Sequence, residues 1–130
     1  MMDWNDKEPI YQQIKKRIEQ QILSGVWLEG EALPSIRTVA SDLKINHLTV
    51  MKAYQLLVDD LLVEKIRGRG MFVLTGAQAK LKSDKTKEFL NEQIPILIET
   101  LKLLDIPVND FTQELHKQIK GNADAISESK

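Results

Sequence analysis

The stretch from Leu33 to Val73 leaves this chain few ways to fold. Ser35 stands where an N-cap belongs, after Pro34 and before Ile36, Val39, Ala40 and Leu43 at helical spacing, which predicts a short helix over 35–43. Lys44-Ile45-Asn46 makes a polar turn, with Asn46 capping a second helix. In that helix Val50, Ala53, Tyr54, Leu57 and Leu61 fall on one side. The opposite side carries Leu48, Lys52, Gln55 and Asp59, flanked by His47 and Met51. The helix is expected to end near Asp59-Asp60. Two apolar runs, Leu61–Val63 with Ile66 and then Met71–Val73, flank Arg67-Gly68-Arg69-Gly70, a tight tip whose glycines can take positive φ. A helix-turn-helix followed by a β-hairpin wing is the most economical reading, and such a unit holds one helix against a DNA groove.

What precedes this stretch reads as support for it. Ile10, Ile14, Ile18 and Ile22 form one helical stripe, with Tyr11 and Leu23 alongside, so an amphipathic helix is expected over 9–24. Pro9 suits its first turn and Gly25 its exit. Its outer face carries Lys15, Lys16, Glu19 and Gln20, and the Lys15-Lys16-Arg17 run reads either as a solvated face or as a DNA contact. Val26 to Leu33 reads as a loop with room for one short strand, and Trp27 as a core or edge anchor.

After Leu74 the pattern changes. Thr75 to Ser83 reads as a linker or a frayed helix start. From Asp84 to Leu104 the positions Leu90, Ile94, Leu97, Leu101 and Leu104 alternate at spacings of four and three, a coiled-coil-like seam widened by Phe89, Ile96 and Ile98. Pro95 is expected to kink or split that helix. Asn109 is placed to cap a last short helix bearing Phe111, Leu115 and Ile119, closed by Gly121. Two such helices cannot enclose a core alone, so the seam is expected to pair with a second copy. The fold class is therefore mainly α with a small β-wing: a winged helix-turn-helix domain over 1–76, a two-helix dimerisation region over 77–121 and a disordered tail over 122–130.

Charge sets the condition for DNA binding. The net charge is −1, and residues 1–76 carry ten Lys/Arg against ten Asp/Glu. Attraction to phosphate has to come from local clustering of cations. Arg37 lies in a first helical turn, where a cation gains nothing from the dipole. It reads either as a phosphate or base contact or as one half of a salt bridge. At the front of the second helix, Leu48 and Met51 either touch thymine methyls or pack under a loop, and Lys52 and His47 offer donors to guanine or phosphate. Arg67 and Arg69 suit a narrow minor groove.

Catalysis finds little support. The histidines, His47 and His116, lie in different modules without a Ser/Asp partner pattern, no metal-ligand spacing occurs, and there is no cysteine. No cofactor is implied. No run is long enough for a membrane span and no secretion signal is visible, so the expected place is the cytoplasm.

Three spaced motifs carry a resemblance. They are Gly30-x-x-Leu33-Pro34-Ser35-x-Arg37-x-x-Ala40-x-x-Leu43, Thr49-Val50-x-x-Ala53-Tyr54-x-x-Leu57, and Gly68-x-Gly70-x-Phe72-Val73. Together they resemble the DNA-binding domain of the GntR family of bacterial transcription regulators. Pro9-Ile10-Tyr11-x-Gln13-Ile14 and the short C-terminal part resemble its YtrA-type branch. The resemblance implies DNA contacts from Arg37, Asn46, His47, Thr49, Lys52, Arg67, Gly68 and Arg69, and a homodimeric repressor on a near-palindromic double-stranded operator. A small-molecule effector in the dimer cleft stays open. Relatives often have arginine where His47 stands, and a glycine usually ends their recognition helix where Asp60 stands. The competing reading is a winged-helix protein-interaction module without specific DNA binding, favoured by the neutral charge and by Leu48 and Met51.

Overall fold

The computed structural model describes residues 4–128, with side chains from 4 to 122. The chain divides into two compact units, Met1–Lys85 and Thr86–Lys130.

In the first unit, α1 (Ile10–Leu23) buries Ile14, Ile18 and Ile22. Gln13 is buried beside them and ties down the preceding segment. Its amide donates to the carbonyls of Asn5 and Glu8 at 2.9 Å each, and its oxygen accepts from the Asn5 N–H. α2 (Ile36–Leu43) starts at Ser35, whose hydroxyl oxygen accepts the Thr38 N–H at 3.0 Å. α3 (His47–Asp59) starts at Asn46, which accepts the Leu48 N–H at 2.8 Å. Each cap satisfies an N–H that the helix geometry leaves without a partner.

α3 is the pillar of the core: Val50, Ala53, Tyr54 and Leu57 are all 0–1% exposed. β1 (Val63–Ile66) and β2 (Gly70–Val73) pair antiparallel, with Val63 opposite Val73 and Ile66 opposite Gly70. Val63 and Val73 are buried in the same cluster as the α3 side chains, so the hairpin is anchored at its base. The loop before α2 leans on β2 through an isolated antiparallel bridge, Ala32 to Phe72, and the Leu33 N–H donates to the Met71 carbonyl at 2.8 Å.

Helices α1, α2 and α3 end alike. At each end the N–H groups of two successive residues fold back onto the last turns: Gly25 and Val26, Lys44 and Ile45, Leu61 and Leu62. The first residue of each pair is left-handed, with φ of 84°, 56° and 62°. The left-handed position after α3 therefore falls on Leu61, not on Asp60. This corrects the sequence expectation that Leu61 faces the core. Helical phase no longer holds once the chain reverses, so Leu61 is 65% exposed and Leu62 takes the buried place at 1%.

Of the two readings of the stretch from Thr75, linker or helix start, the helix holds: α4 (Ala77–Glu88) is regular, and its Ala77 and Leu81 are part of the same core. Further ties hold it. Gln78 donates to the Leu23 carbonyl at 3.0 Å, the Gly76 N–H donates to the Glu29 carboxylate, and Lys85 pairs with Glu19 at 3.3 Å. Glu19, expected on the solvated face, is 5% exposed because Lys15 and Lys85 both reach it.

In the second unit, a π-helical turn (Phe89–Gln93) precedes α5 (Ile94–Leu103), whose first turn holds Pro95. The Ile94 N–H reaches back to Phe89 rather than Leu90, a wider turn of the kind that accommodates a proline lacking its N–H. α5 closes as the first three helices do, with Asp105 left-handed at φ 54°. α6 (Val108–Glu128) begins one residue before the expected Asn109 cap and runs through Gly121 as far as Glu128. It is thus neither short nor closed at Gly121, and residues 129–130 lie outside the described residues. No described residue of this unit is fully buried. Among the described residues no helix is long and apolar enough to cross a membrane.

Candidate nucleic-acid interface

α3 divides its side chains sharply. With Val50, Ala53, Tyr54 and Leu57 committed to the core, the other side presents His47, Leu48, Met51, Lys52 and Gln55 to solvent. Leu48 is 58% exposed and Met51 45%, so no loop of the first unit covers them. Thr49 is half-buried at the edge of this face, and the Asn46 side-chain oxygen is occupied by its capping bond.

A directed bond ties the start of α2 to α3. The Tyr54 hydroxyl donates to the Pro34 carbonyl at 2.7 Å, just before the Ser35 cap. Burial pushes the Tyr54 phenol up to about 12. This bond fixes the start of α2, where Arg37 projects into solvent. Arg37 has no carboxylate within 4.0 Å among the described residues, which removes the salt-bridge reading.

The wing tip is a three-residue loop, Arg67-Gly68-Arg69, closed by the Arg69 N–H donating to Ile66 at 2.9 Å. Gly68 at φ 77° occupies a region that side chains enter at a cost. Arg67, Gly68 and Arg69 are all exposed, and the Arg69 guanidinium carbon stands 5.9 Å from the Phe72 ring centroid.

The charges of the first unit are sorted by position. On α1, Lys15 pairs with Glu19 at 3.3 Å and with Asp60 at 3.0 Å, and Lys16 pairs with Glu8 at 2.6 Å. Burial lowers the Lys15 pKa, but its bonds to Asp60 and Glu19 outweigh that and hold it above the usual lysine range. On α4, Lys80 pairs with Asp84 and Lys85 with Glu19. Carboxylates thus hold Lys15, Lys16, Lys80 and Lys85 on α1 and α4, whereas Arg37, Lys52, Arg67 and Arg69, like Arg17 on α1, have none within 4.0 Å among the described residues. Sequence reasoning missed this division, since the pairs between α1 and α4 or the α3 end are distant along the chain. Only the i,i+4 spacing of Lys15–Glu19 and Lys80–Asp84 was there to be read.

The expected pairing seam is exposed unevenly. Leu90 and Leu104 are 54% and 60% exposed, whereas Ile94, Leu97 and Leu101 are half-buried within the second unit. Apolar side chains outside the seam are also exposed, with Leu103 at 82% and Ile96 at 56%. At 100° per residue these two share the side of α5 opposite Ile94 and Leu101. No group of three metal-ligating side chains occurs among the described residues.

Comparison with known proteins agrees with this architecture. The family model described as bacterial regulatory proteins, gntR family, matches residues 10–73. The chain is 29% identical over 123 residues to the HTH-type transcriptional repressor YtrA of Bacillus subtilis (strain 168), covering 92% of this chain and 94% of that protein. A transcriptional regulator from Oenococcus oeni aligns with a TM-score of 0.75 and 27% identity, over 91% of this chain and 97% of that one. YtrA from Sulfolobus acidocaldarius, a GntR-family transcription factor, is 35% identical with a TM-score of 0.55, over 71% of this chain and 97% of that one. Other curated relatives are longer, and the chain spans 24% of one and 46% of another.

Proposed function

Since this chain belongs to the GntR family of bacterial regulatory proteins, we propose that it works in the cytoplasm as a homodimeric transcriptional repressor on a near-palindromic operator. In this reading the front of α3 enters the major groove. His47 and Lys52 donate to base edges or phosphates there, Leu48 lies against thymine methyls, and Asn46 and Thr49 touch the adjoining backbone. Arg37 holds a phosphate. Arg67 and Arg69 enter the minor groove, with Gly68 giving the tip its close approach.

The observation that carries the reading is the sorting of charge. Lys15, Lys16, Lys80 and Lys85 on the supporting helices are paired with carboxylates, whereas Arg37, Lys52, Arg67 and Arg69 keep their charge for a partner. Pairing of two copies through the second unit, by Leu90, Ile94, Leu97, Leu101 and Leu104, would set two recognition helices about one duplex turn apart, roughly 34 Å. It would also cover apolar surface that no described side chain of that unit encloses.

Selection from a random duplex pool tests the reading. A repressor of this kind enriches an inverted repeat, and its affinity falls steeply between about 50 and 200 mM salt as counterions are released. Enrichment of no sequence at low salt would transfer the unit to the class of protein-interaction modules.

A further inference from the structure

We propose that Tyr11 on α1 is a positioning residue for DNA recognition, its ring holding the Lys52 ammonium at the front of α3. The inference rests on the reading that α3 docks on DNA. The Lys52 nitrogen stands 4.1 Å from the centroid of the Tyr11 ring, a distance at which the ring quadrupole attracts an ammonium. The ring itself is fixed, since Tyr11 is half-buried against the core cluster one turn before Ile14.

The kind of partner matters. Lys15 and Lys16 are held by carboxylates, which order the lysine but cancel its charge. A neutral ring orders the stem and leaves the charge intact. Lysine carries a flexible four-carbon stem, and freezing it on binding costs affinity. Tyr11 reduces that cost before DNA arrives. The wing repeats the device at longer range, with Arg69 5.9 Å from the Phe72 centroid. Two of the uncompensated cations therefore rest on aromatic faces rather than on acids.

The test uses full-length protein and a duplex that the wild type selects from a random pool. Binding is measured for Tyr11→Phe, Tyr11→Leu, Lys52→Met and the Tyr11→Leu/Lys52→Met double variant, each well below its melting temperature. Lys52→Met is expected to weaken binding about tenfold, the size of one lost base contact. Tyr11→Leu is expected to weaken it about threefold to fivefold, and to add nothing once Lys52 is gone. Tyr11→Phe keeps the ring and stays within about twofold. Repeating the selection with Tyr11→Leu relaxes preference at the same base pair as Lys52→Met. An equal Tyr11→Leu loss in the Lys52→Met background would overturn the proposal, because Tyr11 would then act through the fold alone. So would unchanged or tighter binding by Tyr11→Leu. A wild type that selects no duplex overturns the DNA reading itself, and this inference with it.

Discussion

The two units of this chain solve the same problem in opposite ways. The first gathers Ile14, Ile22, Leu57, Leu62, Val63 and Val73 into one sealed core, each 3% exposed or less. The second is just as apolar along α5, yet every described side chain in it keeps some contact with water. Burying a Leu or Ile stabilises by roughly 1.5–3 kcal/mol, so the first unit has its stabilisation in hand whereas the second awaits a surface to pack on. A helix stripe read from sequence shows only that burial is wanted; it does not say whether one chain can supply it.

That contrast can be broken by paired substitutions. Leu57→Ala leaves a cavity in the sealed core and is expected to cost about 2–5 kcal/mol, the same at every protein concentration, as judged by urea denaturation. Leu97→Asp places a charge on the second unit's stripe. It is expected to leave the first unit's melting intact while converting a dimer to a folded monomer in sedimentation. A Leu97→Asp protein that still sediments as a dimer would move the interface elsewhere, with the Ile96–Leu103 side of α5 the first place to look.

A smaller effect tests the bond that sets α2 on α3. Tyr54→Phe is expected to cost about 1 kcal/mol, the net worth of one buried hydrogen bond. It should also remove a pH dependence. The unfolded phenol ionises near pH 10 and the folded one at about 12, so the stabilising contribution is whole below about 10 and is lost as pH rises through about 12. Wild-type and Tyr54→Phe stabilities should therefore converge as pH is raised across that range.

Smaller still, and of opposite sign, is Leu61→Gly. A leucine at φ 62° is strained, and its side chain is mostly in water. Replacing it is expected to raise stability by about 0.5 kcal/mol, the relief of a left-handed conformation less the added freedom of glycine when unfolded. A loss instead would mean that the Leu61 side chain is covered in the assembled protein.

Much of the first unit was legible in the sequence because its signals are local. The isoleucine stripe, the Ser35 and Asn46 caps and the two-glycine wing tip each depend on residues a few positions apart. What escaped depends on contacts between distant residues. α4 contributes just Ala77 and Leu81 among polar neighbours, too weak a stripe to read as a packed helix. Glu19 looked solvated because nothing near it in sequence announces Lys85. The Leu61–Leu62 exchange follows from where the helix stops, the boundary that periodicity defines least well. At the candidate interface, exposure of Leu48 and Lys52 followed from helical phase, whereas the Tyr11 ring under Lys52 could be found only from the folded chain.

A chain with no net attraction for DNA is expected to bind it through Arg37, Lys52, Arg67 and Arg69, cations that no carboxylate neutralises among the described residues. The most direct measurement is the slope of log affinity against log salt for the wild-type-selected duplex. The Arg67→Ala/Arg69→Ala protein is compared with Lys16→Ala/Lys80→Ala, in which the same number of cations is removed from carboxylate pairs. The slope is expected to be shallower by about two for the wing variant and unchanged for the other. Equal slopes for the two variants, or a loss confined to the Lys16/Lys80 pair, would contradict that expectation.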